Sequence, residues 1–71
     1  MEYEVWILGY NEDDTVNDYE KLIAIFENFK EAEWFVENYP FQKPTETPKS
    51  NIVIERVEDC SCQDILYERE L

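Results

Sequence analysis

The segment from Asn28 to Tyr39, NFKEAEWFVENY, constrains the fold most, because both ends of a single helix can be read in it. Asn28 is a favoured N-cap residue, since its side-chain oxygen can accept a hydrogen bond from an unpaired amide of the first turn. Pro40 ends the helix, since the residue before a proline is disfavoured in the α region. Apolar residues between these ends recur at the three-and-four spacing of one helical face. We therefore expect one amphipathic helix that covers one face of a sheet.

Four other segments are rich in β-branched and aromatic residues, which favours strands. They are Glu2–Tyr10, Lys21–Glu27, Asn51–Val57 and Ile65–Leu71. The Asn- and Asp-rich residues 11–20 are predicted to form a loop, and residues 58–64 the turn of a C-terminal hairpin. The expected architecture is one domain, residues 1–71, of the α+β class: a two-layer β-β-α-β-β fold with one helix packed on a small antiparallel or mixed sheet.

Residues 15–39 leave one alternative fold open. Apolar residues at positions 19, 22, 23, 26 and 29 also satisfy helical spacing, so Thr15 could cap one long helix ending at Tyr39, in a β-α-β-β fold. The apolar sequence Ile23–Phe26 and the second cap at Asn28 favour a strand followed by a new helix.

The first predicted strand, EYEVWILGY, carries bulky side chains on both of its faces. Successive side chains point to opposite faces of a sheet. One face therefore holds Tyr3, Val5 and Ile7, and the other holds Glu4, Trp6, Leu8 and Tyr10. We expect a central strand, with one face against the helix and the other covered only in part or open to a partner.

The charge of the chain indicates the chemistry of its partners. With 18 acidic residues, 6 basic residues and no histidine, the formal net charge is −12. Direct binding to nucleic acid or to an anionic membrane is disfavoured, because both would repel the chain. A basic protein is the expected partner. Glu2 and Glu4 stand where a signal peptide would carry positive charge, so we expect a cytoplasmic protein, in the host cell if it is phage-encoded.

No residue pattern predicts catalysis or a bound cofactor. A Ser-His or Cys-His nucleophile is impossible without histidine. Paired carboxylates are too abundant in this sequence to identify a glycosidase-type site. The chain is therefore predicted not to be an enzyme, and no catalytic residue, cofactor or metal ligand is assigned.

Two weaker metal hypotheses were weighed. An EF-hand loop beginning at Asn11 would place Val16 where glycine is required and Leu22 where the bidentate glutamate belongs. Only a less regular calcium site remains as an alternative to a solvated turn. Cys60 and Cys62 lack the further ligands that zinc requires, so reduced thiols are expected, with an intermolecular metal site or disulfide as the alternative.

The arrangement of the acids suggests a binding surface. Carboxylates roughly 6 Å apart on a helix face approximate the spacing of phosphates along a nucleic-acid strand. Exposed aromatic residues often anchor protein interfaces. The candidate partner-binding residues are Tyr10, Glu12, Asp13, Asp14, Asp18, Glu27, Glu31, Glu33, Trp34 and Glu37. The competing interpretations are that the acidity only keeps the domain soluble and that Trp34 packs under the proline-rich connection.

The sequences YEVWILGY and FENFKEAEWFVENY, with the short length and high acidity, resemble those of small proteins encoded by bacteriophages and other mobile elements. The charge is similar to that of the acidic inhibitors among them, the anti-CRISPR and DNA-mimic proteins. This resemblance transfers no functional residue. It implies stoichiometric binding that blocks a basic, nucleic-acid-binding host enzyme. The alternative expectation is a non-enzymatic scaffold or a homodimeric interaction domain.

Overall fold

A computed structural model describes residues 2–58 and 63–71, except for the side chain of Gln63, as a four-stranded antiparallel sheet with one helix on one face. The elements in chain order are β1 (Glu2–Tyr10), β2 (Val16–Phe26), α1 (Phe29–Asn38), β3 (Lys49–Val57) and β4 (Gln63–Glu70). The strand order is β2-β1-β3-β4, which places β1 and β3 in the centre and β2 and β4 at the edges. The predicted α+β, β-β-α-β-β architecture is confirmed.

Strand β2 differs from its prediction in length. It begins at Val16, so residues 16–20 form strand where a loop was expected. Val16 pairs with Tyr10, and two register shifts in the β1–β2 pairing accommodate the polar residues of β2. An edge strand tolerates such polar residues, because its outer side faces water. The alternative of one long helix over residues 15–39 is wrong, since residues 16–26 pair with β1 instead.

Helix α1 has the predicted ends. The Asn28 side chain accepts a hydrogen bond from the Lys30 backbone N–H at 2.8 Å, as an N-cap should. Tyr39 is already extended, with φ −82° and ψ 136°, immediately before Pro40. In the chain, the helix follows the edge strand β2 and precedes the central strand β3. It packs against β1, β2 and β3.

The core lies between the helix and one face of the sheet, which we call the covered face. Its fully or nearly fully buried members are Val5, Ile7, Ala32, Val36, Ile52 and Ile54. Aromatic rings close the margin of this core, with the Phe35 ring centroid 5.3 Å from those of both Phe26 and Phe41. The predicted amphipathic helix therefore buries the expected stripe of side chains.

At Gly9, the covered face is packed by the connection between α1 and β3. A Cβ added at Gly9 would lie 2.5 Å from Thr47 Cγ2 and 2.8 Å from Tyr19 Cβ. Thr47 is itself 3% exposed. The connection between α1 and β3 thus packs directly on the β1 backbone, and glycine is required by close approach.

The C-terminal hairpin is confirmed, since β3 and β4 pair in antiparallel register. The predictions for Cys60 and Cys62 concern positions outside the described residues. Within the described ranges, no helix has both the length and the apolar character needed to cross a membrane.

Candidate protein-binding surface

The open face of the sheet, opposite α1, carries the even-numbered residues of β1 and the residues that pair with them. Five cross-strand pairs with β3 lie along it: Glu2 with Val57, Glu4 with Glu55, Trp6 with Val53, Leu8 with Asn51, and Tyr10 with Lys49. The helix, Phe41 and Thr47 all pack on the covered face. No described helix therefore covers the open face, as the alternation in β1 predicted.

An apolar strip crosses β2, β1 and β3 on the open face and ends at Glu68, the β4 partner of Val53, while Ile65 of β4 lies opposite Glu55 in the neighbouring row. At its centre Val53 is fully buried, although it lies outside the core cluster beneath the helix. Its direct partner on β1 is Trp6, which pairs in turn with Leu22 of β2. Leu22 and the nearby Ile25 are 40% and 50% exposed, and Ile65 of β4 is 54% exposed. Exposed apolar strips rimmed by polar residues mark interaction sites in many proteins.

Two glutamates oppose each other beside this strip. Glu4 and Glu55 are direct partners on β1 and β3. Trp6 Nε1 donates a hydrogen bond to Glu4 Oε1 at 2.9 Å, which orients that carboxylate. Burial raises the pKa of Glu55, and the Glu4 and Glu20 charges raise this pKa further. Like charges directly across a sheet destabilise it.

No base in the described ranges neutralises this group of acids. The ion pairs there join Lys49 to Asp14 and Arg56 to two other acids, and none includes Glu4 or Glu55. The open face therefore presents concentrated negative charge next to exposed apolar surface.

The Tyr10 end of the open face forms a shallow pocket of about 250 Å³. It is lined by Tyr10, Asp14, Lys49, Asn51, Glu68 and Glu70. Lys49 Nζ is 2.8 Å from Asp14 Oδ1, and Asn51 Nδ2 donates to Glu68 Oε2 at 3.1 Å. Burial raises the pKa of Tyr10, and so does the Glu68 carboxylate. With Lys49 paired to Asp14, the carboxylates of β4 leave this end acidic as well.

The predicted acids of the β1–β2 turn, Glu12, Asp13 and Asp14, lie at this end of the sheet. Asp13 Oδ1 accepts hydrogen bonds from the Thr15 hydroxyl at 2.6 Å and the Thr15 N–H at 3.1 Å, and these bonds lower the pKa of Asp13. Asp14 has a positive φ of 68° and pairs with Lys49. Asp13 and Asp14 therefore build the turn, as Asp residues commonly do.

The remaining candidates occupy other parts of the molecule. Asp18 lies on the edge strand β2, and Glu27 lies between β2 and the helix cap. Glu31, Glu33, Trp34 and Glu37 lie on α1, in the layer on the other side of the sheet from Tyr10. The structure thus does not bring the ten candidates together on one surface.

Trp34 is 67% exposed, so it does not pack under the proline-rich connection. Phe41 of that connection instead contacts Phe35 and Tyr39, with ring centroids 5.3 Å and 4.8 Å apart. Trp34 therefore retains the exposure that the sequence prediction required of an anchor residue.

The candidate list omitted the residues that the open face brings together. Alternation along β1 predicted that Glu4 and Trp6 share one face of the sheet, and the structure shows that this face lies away from the helix. Glu55 and Glu20 carried no comparable signal, because the positions of Glu55 opposite Glu4 and of Glu20 opposite Leu8 depend on pairing between strands.

Comparisons of this chain with protein-family models, curated protein sequences and solved structures found no match. Its function is therefore inferred from its charge and geometry.

Proposed function

We propose that this chain is a small acidic protein-binding protein without catalytic activity. It occupies a basic surface of a nucleic-acid-binding host enzyme and thereby blocks that enzyme, as do the anti-CRISPR and DNA-mimic inhibitors encoded by phages and mobile elements. It acts in the cytoplasm, which is that of the host cell if the protein is phage-encoded.

The observation that carries this proposal is the open face, where an exposed apolar strip adjoins the opposed Glu4 and Glu55 without a neutralising base among the described residues. A fold that needed acids only for solubility would gain nothing from placing two of them across a central strand pair. A cationic partner gives this arrangement a favourable interaction.

The net charge of −12 extends the argument to the whole chain. A surface that binds a nucleic-acid backbone is basic, and it attracts an acidic protein by the same long-range electrostatic interaction. Complementary charge speeds encounter and selects against acidic competitors. Binding by this mechanism weakens as salt screens the charges.

A homodimer formed through the open face is disfavoured by the same charges. Two copies docked face to face would bring two sets of Glu4, Glu20 and Glu55 together. Such juxtaposed like charges oppose association. A single sedimenting species of monomer mass at micromolar concentration would agree with this argument.

The proposal is tested by capture and competition. The immobilised protein is exposed to a bacterial lysate at about 50 mM salt and washed at about 500 mM, a range over which screening shortens the reach of surface charge severalfold. An unrelated domain of similar net charge, immobilised at the same density, controls for simple ion exchange.

Each protein released specifically by salt is then purified, and its nucleic-acid affinity is measured with and without an equimolar amount of this chain. We expect at least one basic protein to lose nucleic-acid binding at a one-to-one ratio. The proposal would be contradicted if every captured protein kept its nucleic-acid binding in the presence of a molar excess of this chain. Capture that salt does not weaken would also contradict it.

A further inference from the structure

Two surfaces of this molecule carry a tryptophan side chain, and they differ in what surrounds the aromatic ring. On α1, Trp34 stands among Glu31, Glu33 and Glu37, and the neighbouring apolar positions Ala32 and Val36 are buried against the sheet. On the open face, Trp6 adjoins the exposed Leu22 and the fully buried Val53. Of these two surfaces, the open face brings apolar side chains of several strands next to the opposed acids Glu4 and Glu55.

We propose that the open face is the docking surface, and that its occupant is a segment of the basic partner with apolar side chains flanked by lysine or arginine. One cationic side chain of that segment lies between Glu4 and Glu55. This inference rests on the proposed function and specifies where the partner binds and what its surface contains.

Charge complementarity selects this occupant over others. A purely apolar segment would leave Glu4 and Glu55 desolvated and unpaired, which is costly for charged groups. A second copy of the chain or a nucleic acid would add negative charge. A segment with both apolar and cationic side chains covers the strip and neutralises the acids together.

The Glu4 and Glu55 pair is suited to hold the cation. Their direct register across β1 and β3 places both carboxylates on the same face at neighbouring positions. The Trp6 Nε1–H bond of 2.9 Å holds the Glu4 carboxylate in place before binding. Such preorganisation lowers the cost of ordering the site when the partner arrives. Burial raises the pKa of Glu55, and the neighbouring Glu4 charge raises this pKa further.

The two tryptophans allow a direct test, because the chain has only two and the described structure places them on opposite layers. The probe is a synthetic amphipathic peptide of leucine and lysine, with one leucine stripe flanked by lysines. A peptide of the same length and charge, with alanine in place of leucine, is the control probe. Nitrogen-15 NMR then follows the indole N–H signals of Trp6 and Trp34 during titration.

We expect the leucine-lysine peptide to shift the Trp6 indole signal and the backbone amides of Val53 and Glu55, and to leave the Trp34 indole signal unchanged. The alanine control should bind at least about fivefold more weakly, since it lacks the apolar contacts. A shift of Trp34 alone, or shifts spread equally over both layers, would overturn the assignment of the docking surface.

Two matched double variants separate a specific site from general charge. Glu4→Gln with Glu55→Gln, and Glu33→Gln with Glu37→Gln, change the net charge equally but lie on opposite layers. The first should raise the peptide Kd about tenfold or more, as loss of close charge pairs does, and the second less than about twofold. Equal weakening by both, or a larger effect of the helix pair, contradicts the inference. Amide spectra and melting curves of both variants verify that the fold is retained.

The two proposals can fail separately. If the chain blocks a basic host protein but that protein and the peptide shift Trp34, the docking surface is wrong and the proposed function stands. If the peptide binds as expected at Trp6 while no nucleic-acid-binding protein is inhibited, the surface is correct and the inhibitory function is wrong.

Discussion

The two faces of the sheet are built from alternate residues of the same strands. They differ in how completely their side chains are buried or paired with opposite charge. On the covered face, Val5 pairs with Ile54 and Ile7 with Ile52, and all four are buried beneath α1. On the open face, Glu4 pairs with Glu55, and the apolar side chains of Leu22, Ile25 and Ile65 on the edge strands are 40%, 50% and 54% exposed. The covered face is organised for stability, and the open face keeps features that cost stability.

The contrast is sharpest at two adjacent residues of β3. Arg56 points to the covered side, where its Nη2 is 2.6 Å from Asp64 Oδ2 and its Nε is 3.4 Å from Glu58 Oε1. Glu55 points to the open side and faces Glu4. Strand alternation keeps the arginine from neutralising its own neighbour in the chain. None of the ion pairs among the described residues therefore includes Glu4 or Glu55.

The largest predicted effect compares the same substitution on the two faces. Ile52→Ala removes a fully buried side chain from the core and should cost about 2–5 kcal/mol of unfolding free energy. Ile25→Ala, on the open face at 50% exposure, should cost about 1 kcal/mol or less. Urea denaturation of both variants measures the difference. Equal losses would mean that the open face contributes to the core as much as the covered face does.

A second prediction concerns space on the covered face beyond the helix. Gly9→Ala should destabilise the fold by about 1–3 kcal/mol, because the added methyl would meet Thr47 and Tyr19 at distances that require something to shift. Thermal unfolding checks this value. The double variant Gly9→Ala, Thr47→Ser removes the nearest methyl group and should recover part of the loss. Full stability of Gly9→Ala alone would contradict the tight packing of the connection on β1.

A third prediction uses one chemical change with opposite signs on the two faces. Glu55→Gln should stabilise the protein at pH 7 by about 0.2–1 kcal/mol, since it relieves the like-charge pair with Glu4. Asp64→Asn should destabilise it slightly, since it weakens the solvent-exposed ion pair with Arg56. Chemical denaturation at low salt measures both. If Glu55→Gln destabilises the protein, the Glu55 carboxylate already makes a net favourable interaction on the open face.

The smallest predicted effect is a pH dependence of opposite sign at two acids. The pKa of Glu55 is raised in the folded state, so its stabilising contribution is present below its ordinary pKa and is lost as pH rises through the raised value. The pKa of Asp13 is lowered, so its contribution is present above its ordinary pKa and is lost as pH falls through the lowered value.

These two opposite pH dependences are tested by measuring melting temperatures between acidic and neutral pH. The proteins compared are Glu55→Gln, Asp13→Asn and the parent chain. The advantage of Glu55→Gln over the parent should appear as pH rises above the ordinary glutamate range. The disadvantage of Asp13→Asn should disappear at the acidic end. Parallel curves for all three proteins would show that neither carboxylate changes its pKa on folding.

The proposed docking surface could be predicted from the sequence only in part. Alternation in β1 predicted that Glu4 and Trp6 share one face of the sheet, and Trp34, a candidate for an exposed anchor residue, is 67% exposed. Eight of the ten candidates were nevertheless chosen by charge along the chain. Neighbours in sequence are not neighbours on a surface when a turn, an edge strand and a helix separate them.

Local interactions are the part of this protein that the sequence by itself determined. The cap at Asn28, the stop at Pro40 and the two-residue alternation of β1 each depend on groups a few residues apart, and all appear in the structure. Only the tertiary structure decided the length of β2 and the opposition of Glu4 to Glu55. Those features depend on which backbone groups pair across the sheet, and the free energy of that pairing is shared among strands far apart in the chain.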